Sequence, residues 1–188
     1  MPPGTSECSF LQFLDLRFVL NASLSRDWYV LYVKPRTEKK VEALLAGYRY
    51  WHYLPKWVKV TKVQRRKVRT ELPLFPGYVF TRLDADARRK MLQSNLLVRV
   101  LPVSNPREMV HQLRQIARAA RHAPELRVVH PFKAGDLVRV KTGPFRGLEG
   151  FMKREGPAAT IVINLEILGQ AIETVISPAD CEPAQEKT

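Results

Sequence analysis

The sequence predicts an α+β protein in which an antiparallel sheet with helices packed on it is followed by a smaller all-β part. Three observations predict it. Before residue 122, aromatic and β-branched runs alternate with segments of three-to-four apolar spacing. Beyond residue 130 only strand-like runs remain, parted by glycine and proline. Charge divides at the same place: of 31 Lys plus Arg and 18 Asp plus Glu, net +13, residues 27–122 hold 21 basic and 7 acidic, net +14. Residues 131–188 hold 7 and 8, net −1. A surface as basic as the first part attracts polyanions by Coulomb steering and counterion release, so nucleic acid is its expected partner. The near-neutral second part is expected to meet protein.

The apolar stretch 10–20 invites comparison with a signal peptide, but Asp15 and Arg17 interrupt it and no basic region precedes it. A flexible or weakly helical extension over 1–26 is the favoured reading; a partner-binding amphipathic helix or a start codon placed too early are the alternatives. Regular structure begins at Asp27. WYVLYV at 28–33 reads as a strand buried on both faces. Pro35 suits the first turn of a helix, along which Val41, Leu44, Leu45 and Tyr48 form the inner stripe. Lys34, Arg36, Lys39 and Lys40 cluster around its N-terminal half. Such a cluster is either a solvated face or an anion site reinforced by the helix N-terminus.

A short strand is expected over 51–54. The stretch 56–69 then carries Lys56, Lys59, Lys62, Arg65, Arg66, Lys67 and Arg69 without an acid, and Val58, Val60, Val63 and Val68 make it a β-hairpin with a basic tip. That tip is solvated, disordered or on a phosphate backbone. In LPLFPGYVF at 72–80, Pro73 and Pro76 break the ladder, Gly77 allows a tight entry, and the strand resumes at Tyr78. Asp84 caps a helix reaching about Gln93, a strand follows over 96–103, and a helix over 106–121 turns Met109, Leu113 and Ile116 inward. Residues 122–130 read as a linker.

The second part opens with GDLVRVKTGPFRGLEG at 135–150. Val138 and Val140 alternate with Arg139 and Lys141, and Gly143, Pro144 and Gly147 turn the chain before a strand resumes at 148–152. Gly143, Gly147 and Gly150 suit positive φ or close backbone approach. A bare hairpin would also account for it, but the segment resembles a KOW motif, the opening of a small β-barrel. Residues 159–165 and 171–176 alternate as further strands, separated from their neighbours at Gly156-Pro157 and Leu168-Gly169, for four or five strands in all.

WYVLYV before a helix, then LFPGYVF, then the KOW segment, in that order and spacing, resemble the NusG family of transcription elongation factors over about 27–183. KPRTEKK at 34–40 and ELPLFPGY at 71–78 look more like specialised paralogues of the RfaH, LoaP and UpxY kind than like the housekeeping factor. The resemblance implies an NGN-type domain over 27–121, a linker over 122–130, a KOW domain over 131–183 and a tail over 184–188. It further implies that the first domain binds the clamp helices of the largest RNA polymerase subunit through an apolar depression. By motif position Val30, Tyr32, Phe75, Pro76, Tyr78 and Phe80 line or support it, with Leu96 and Leu97 beside it. Period-two geometry requires about half of these to pack inward, and Tyr32, Phe75 and Tyr78 are the strongest contact candidates.

A second polymerase contact falls on 88–91 through Arg89 and Lys90, although the threonine-rich form of the best-known paralogue is absent there. Lys34, Arg36, Lys39 and Lys40, with Arg65, Arg66 and Lys67 of the hairpin tip, would face non-template DNA in the transcription bubble. Ile167, Leu168 and Gly169 correspond to the loop that meets a small-subunit ribosomal protein or Rho; Leu168 and Gln170 stand where the general factor has phenylalanine and arginine. β-branched content argues against a stored helical form of the second domain. The implied function is clamp closure and processive transcription or antitermination, of a restricted set of operons. The alternative is a KOW-containing RNA- or ribosome-binding protein independent of polymerase.

An enzyme is not expected. His52, His111, His122 and His130 show no metal-ligand spacing among themselves or with Cys8 and Cys181, no glycine loop cradles phosphate before a helix, and first-domain acids are sparse. His111 is expected on a solvated helix face. No cofactor, metal or membrane partner is implied, and the expected state is a cytoplasmic monomer.

Overall fold

The computed structural model describes residues 27–63, 66–122, 127–131, 135–155 and 158–184. The leading extension, Cys8, the hairpin tip at Gln64 and Arg65, the Gly156-Pro157 turn and part of the predicted linker and tail lie outside them. Contacts group the chain into two units that part between Pro106 and Arg107.

In the first unit β1 (Asp27–Val33), α1 (Glu38–Gly47), β2 (His52–Tyr53), β3 (Lys56–Val63), β4 (Arg66–Pro73), β5 (Tyr78–Leu83), α2 (Ala85–Gln93) and β6 (Leu97–Pro102) follow in order. Four strands form an antiparallel sheet in the order β2-β5-β1-β6, with β1 in the middle, and β3 and β4 form a separate hairpin. Side chains alternate across β1. Leu31 and Val33, with Val79 and Leu83 of β5, meet Val41 and Leu45 of α1 and Ala87 and Met91 of α2 in one buried cluster. The opposite alternation carries Trp28, Val30 and Tyr32, and exposure changes sharply along it: Val30 is fully buried while Tyr32 at the strand's end is 40% exposed.

Asp84 caps α2 as its sequence position predicts, Oδ1 accepting from Ala87 N–H at 2.8 Å. Asp84→Ala is expected to lower stability by about 1 kcal/mol, the usual worth of an N-cap, read as a fall in Tm with an unchanged folded-state spectrum. The inner stripe of α1 is shorter than the sequence suggests. Val41 and Leu45 are buried, whereas Tyr48 is 46% exposed. Arg49 takes a left-handed conformation at φ 57, which ends the helix and breaks the periodicity just where Tyr48 would have continued it.

The second unit contains α3 (Pro106–His122) from Arg107 onward and six strands: β7 (Arg127–Val129), β8 (Leu137–Val140), β9 (Glu149–Glu155), β10 (Ala158–Leu165), β11 (Gln170–Ile176) and β12 (Cys181–Pro183). They form one antiparallel sheet in the order β12-β8-β9-β10-β11-β7. A helix-and-sheet first unit followed by this sheet is the α+β architecture expected. Gly143 and Gly147 adopt positive φ, and Gly150 lies against the β10 backbone.

Contacts group α3, from Arg107 onward, with the sheet of the second unit. Buried amides tie it there: Gln112 Oε1 accepts from Glu166 N–H at 3.0 Å and Gln115 Oε1 from Glu149 N–H at 3.3 Å. The predicted linker contains β7, which pairs with β11 as an edge strand. His111, expected on a solvated face, sits 3.7 Å from Glu149 Oε2 and is only partly exposed.

A candidate docking surface and its basic flank

The turn between β4 and β5 builds the candidate surface. Tyr78 N–H donates to Phe75 O at 3.3 Å, and Gly77 takes φ 86, a conformation that glycine alone adopts without penalty. Both backbone groups of Gly77 are held: its N–H donates to Glu38 Oε1 at 2.9 Å, and its carbonyl accepts from Val33 N–H at 2.8 Å. A methyl group on Gly77 would come within 3.1 Å of the Tyr32 ring, so that ring lies directly over the glycine. Tyr32 and Tyr78 are opposite one another in the β1–β5 register, and their rings stack with centroids 5.2 Å apart and planes 29° from parallel.

Burial sorts the sequence candidates into two groups. Val30, Phe75 and Phe80 have no exposed surface, so they support the surface from beneath and offer a partner nothing to touch. For Phe75 this narrows an expectation of direct contact, because the turn that follows folds its ring inward. Tyr32 and Pro76 are exposed and Tyr78 half-buried, and these three present the apolar face. Leu96 and Leu97 are partly buried and pack against the core cluster, with Leu96 O accepting from Lys34 N–H at 2.9 Å.

The basic flank begins where β1 ends. Lys34, Arg36, Lys39 and Lys40 are all exposed. Lys34 Nζ donates to Asn95 Oδ1 at 3.0 Å and Lys39 Nζ to Glu71 O at 3.0 Å, which fixes two of the four cations along the near edge of α1. Thr37 N–H donates to Lys34 O, closing a turn with Arg36 at φ 63 in its third position. Of the three hairpin-tip candidates, Arg66 is exposed, Arg65 lies outside the described residues and the Lys67 side chain is not among those described. Arg89 and Lys90 are exposed on α2, Arg89 with Asp86 at 3.8 Å and Lys90 Nζ 5.9 Å from the Tyr48 ring centre. In the second unit Ile167 and Leu168 lie in a 3-10 turn ended by Gly169 at φ 59.

Glu38 is the participant that sequence reasoning missed. It reads there merely as one acid within a basic run, and its partner is 39 residues away. The ELPLFPGY run carried the only available signal, a turn glycine whose N–H needs an acceptor.

The arrangement presents rings and cations. Among the described residues no three His, Cys, Asp or Glu side chains come together to hold a metal ion. Burial, and then the neighbouring Asp180, push the Cys181 thiol up against the opposing pull of Lys141, the reverse of an activated thiolate. No helix among the described residues is long and apolar enough to cross a membrane.

Comparison with known proteins bears on the family to which the chain belongs. A family model described as "NusG: Transcription termination factor nusG" matches residues 26–121. The transcription termination/antitermination protein NusG of Deinococcus radiodurans is 28% identical over 180 residues, covering 78% of this chain and 93% of that protein. With half its length matched by the family model, the chain belongs to the NusG family of transcription termination/antitermination factors.

Proposed function

We propose that this NusG-family factor binds RNA polymerase through the surface formed by Tyr32, Pro76 and Tyr78, with Leu96 and Leu97 at its margin. The clamp helices of the largest subunit are the partner. Binding holds the clamp closed and promotes processive transcription of particular operons, in the manner of the RfaH-like paralogues. The observation that carries this reading is the stacked, partly exposed Tyr32–Tyr78 pair anchored on Gly77. Rigid aromatic rings with polar tips supply contact area at small entropy cost, which makes such pairs frequent centres of binding energy. The factor acts by preferring the elongating conformation of the polymerase, shifting a population and catalysing nothing.

Lys34, Arg36, Lys39 and Lys40, with the hairpin around Arg66, lie beside non-template DNA in this reading and hold phosphates without reading sequence. Arg89 and Lys90 supply the second polymerase contact. The turn at Ile167, Leu168 and Gly169 is the outward contact of the second unit, with a ribosomal protein or Rho as its partner.

Retention of core polymerase on the immobilised full chain tests the central claim. Tyr32→Ala and Tyr78→Ala are each expected to weaken retention about tenfold, which corresponds to roughly 1.4 kcal/mol. Retention equal to the parent's in both variants would reject this surface. Equally tight, salt-steep binding of free structured RNA by parent and variants would favour the polymerase-independent alternative.

A further inference from the structure

One guanidinium of the second unit is buried where nothing answers it. Arg114, midway along α3, is half-buried, and its Nε and Nη2 are closed off from solvent without a hydrogen-bond acceptor. These two atoms form one edge of the guanidinium, the fork whose parallel N–H groups match a carboxylate or a phosphate. Arg139 shows such an edge satisfied: its Nε and Nη2 lie 2.8 and 2.7 Å from Glu149 Oε1. Folded proteins seldom leave buried donors unmatched, and charged ones cost the most, so the Arg114 edge calls for an explanation beyond packing.

A second cation stands beside it. Arg118 follows one turn later on the same side of α3 and is exposed, with Nη1 donating to Gly147 O at 3.2 Å. Burial first, and then the Arg118 charge, push the Arg114 guanidinium below its ordinary pKa. Like charges four residues apart weaken a helix, and among the described residues no acid pairs with either of these. An anion between them removes the repulsion and the unmatched donors together. Neighbouring acids restrict which anion fits. Glu108 Oε1 accepts from Gln112 Nε2 at 2.9 Å, and the Glu149 and Glu166 backbones are held by Gln115 and Gln112. A phosphate chain laid along α3 would pass these three acids, and residues 131–188, with 7 basic and 8 acidic, have no excess positive charge to draw it in. A single carboxylate on the Arg114–Arg118 turn avoids them.

We propose that Arg114 and Arg118 form a docking site for an acidic side chain of a partner protein, whose carboxylate lies on the Nε and Nη2 edge of Arg114 once that side chain turns outward beside Arg118. The turn outward breaks no hydrogen bond on this edge, and it brings to the carboxylate a fork that a lysine could not supply. The site lies wholly within the second unit and does not rest on the polymerase reading.

NMR spectra of the arginine Nε–H groups in the isotope-labelled full chain, recorded at fixed ionic strength, test it. The probe is a capped peptide of alternating glutamate and alanine, compared with its glutamine counterpart and with tripolyphosphate. Saturable shifts of the Arg114 and Arg118 signals are expected with the glutamate peptide and none with the glutamine one. Arg139 is the internal control, because Glu149 already fills its edge and its signal should stay in place. Arg114→Lys keeps the charge and loses the fork, so affinity followed on the Arg118 signal should fall about fivefold. The signal that vanishes in this variant is that of Arg114, and unmoved signals elsewhere show that the fold is kept. No saturable shift at Arg114, an equal response to the glutamine peptide, a matching shift at Arg139, or undiminished binding by Arg114→Lys would each overturn the site. Tighter binding of tripolyphosphate than of the glutamate peptide would overturn the carboxylate as its ligand. Polymerase retention by Tyr32 and Tyr78 variants fails or succeeds separately.

Discussion

Gly150→Ala is expected to destabilise the second unit by roughly 3 kcal/mol, the upper range for overpacking a well-filled site, while the first unit stays folded. A β-carbon at this position would lie 2.5 Å from Val162 O and 2.9 Å from Ile161 Cγ1. The carbonyl is backbone of β10, paired with β9 through Val162↔Phe151 and Ile161↔Met152, so it cannot retreat without disturbing the ladder next to the substitution. Gly143→Ala is the control. Nothing lies within 4 Å of its added carbon, and only its φ of 75 opposes the change, at a cost of about 1 kcal/mol. The three tryptophans, Trp28, Trp51 and Trp57, all precede Pro106, so tryptophan emission follows the first unit alone. Loss of amide dispersion over 137–183 with native emission is the expected signature of Gly150→Ala. Equal tolerance of the two substitutions would mean that Gly150 and the β10 backbone are not in close contact.

This contrast shows which parts of the molecule were legible beforehand. Glycines at Gly143, Gly147 and Gly150 announced a turn or a close approach, and the chain uses both, but nothing local distinguishes the two needs. Strand β1, the Asp84 cap and the inward face of α3 followed from short-range rules of periodicity and capping, and these were read correctly. What escaped depends on partners distant in sequence. β7 is three residues long and exists by pairing with β11, so its composition reads as linker. Gln112 and Gln115 are polar residues buried by bonds to strand ends, invisible to an apolar period. Alternation placed Val30 and Tyr32 on one face but could not grade their exposure, which depends on what covers each position. Tyr48 was misread because the helical period was extended one residue beyond the point where Arg49 turns the chain.

Glu38→Ala is expected to have the largest effect of any single change on the aromatic surface, although the side chain is 7% exposed and does not reach its rings from outside. Glu38 opens α1, where the helix dipole favours an acidic group, and its Oε1 accepts the Gly77 N–H within a buried setting. Removing it leaves that donor without a partner away from water, at about 1–3 kcal/mol. The consequence extends to the site because Gly77 O also anchors Val33 N–H, and the Tyr32 ring rests on Gly77 and stacks on Tyr78. A loosened Gly77 therefore frees both rings, and polymerase retention should fall with stability. Glu38→Gln keeps a carbonyl oxygen at the same place and should cost about half as much, since a neutral acceptor binds less strongly than a charged one. It should retain most polymerase binding. Melting curves and polymerase retention on the three full-length chains would rank parent, Gln and Ala in that order. A Gln variant as impaired as Ala would show that charge, and not the acceptor, is what the position supplies. An Ala variant matching the parent in both measurements would remove Glu38 from the architecture of the surface altogether.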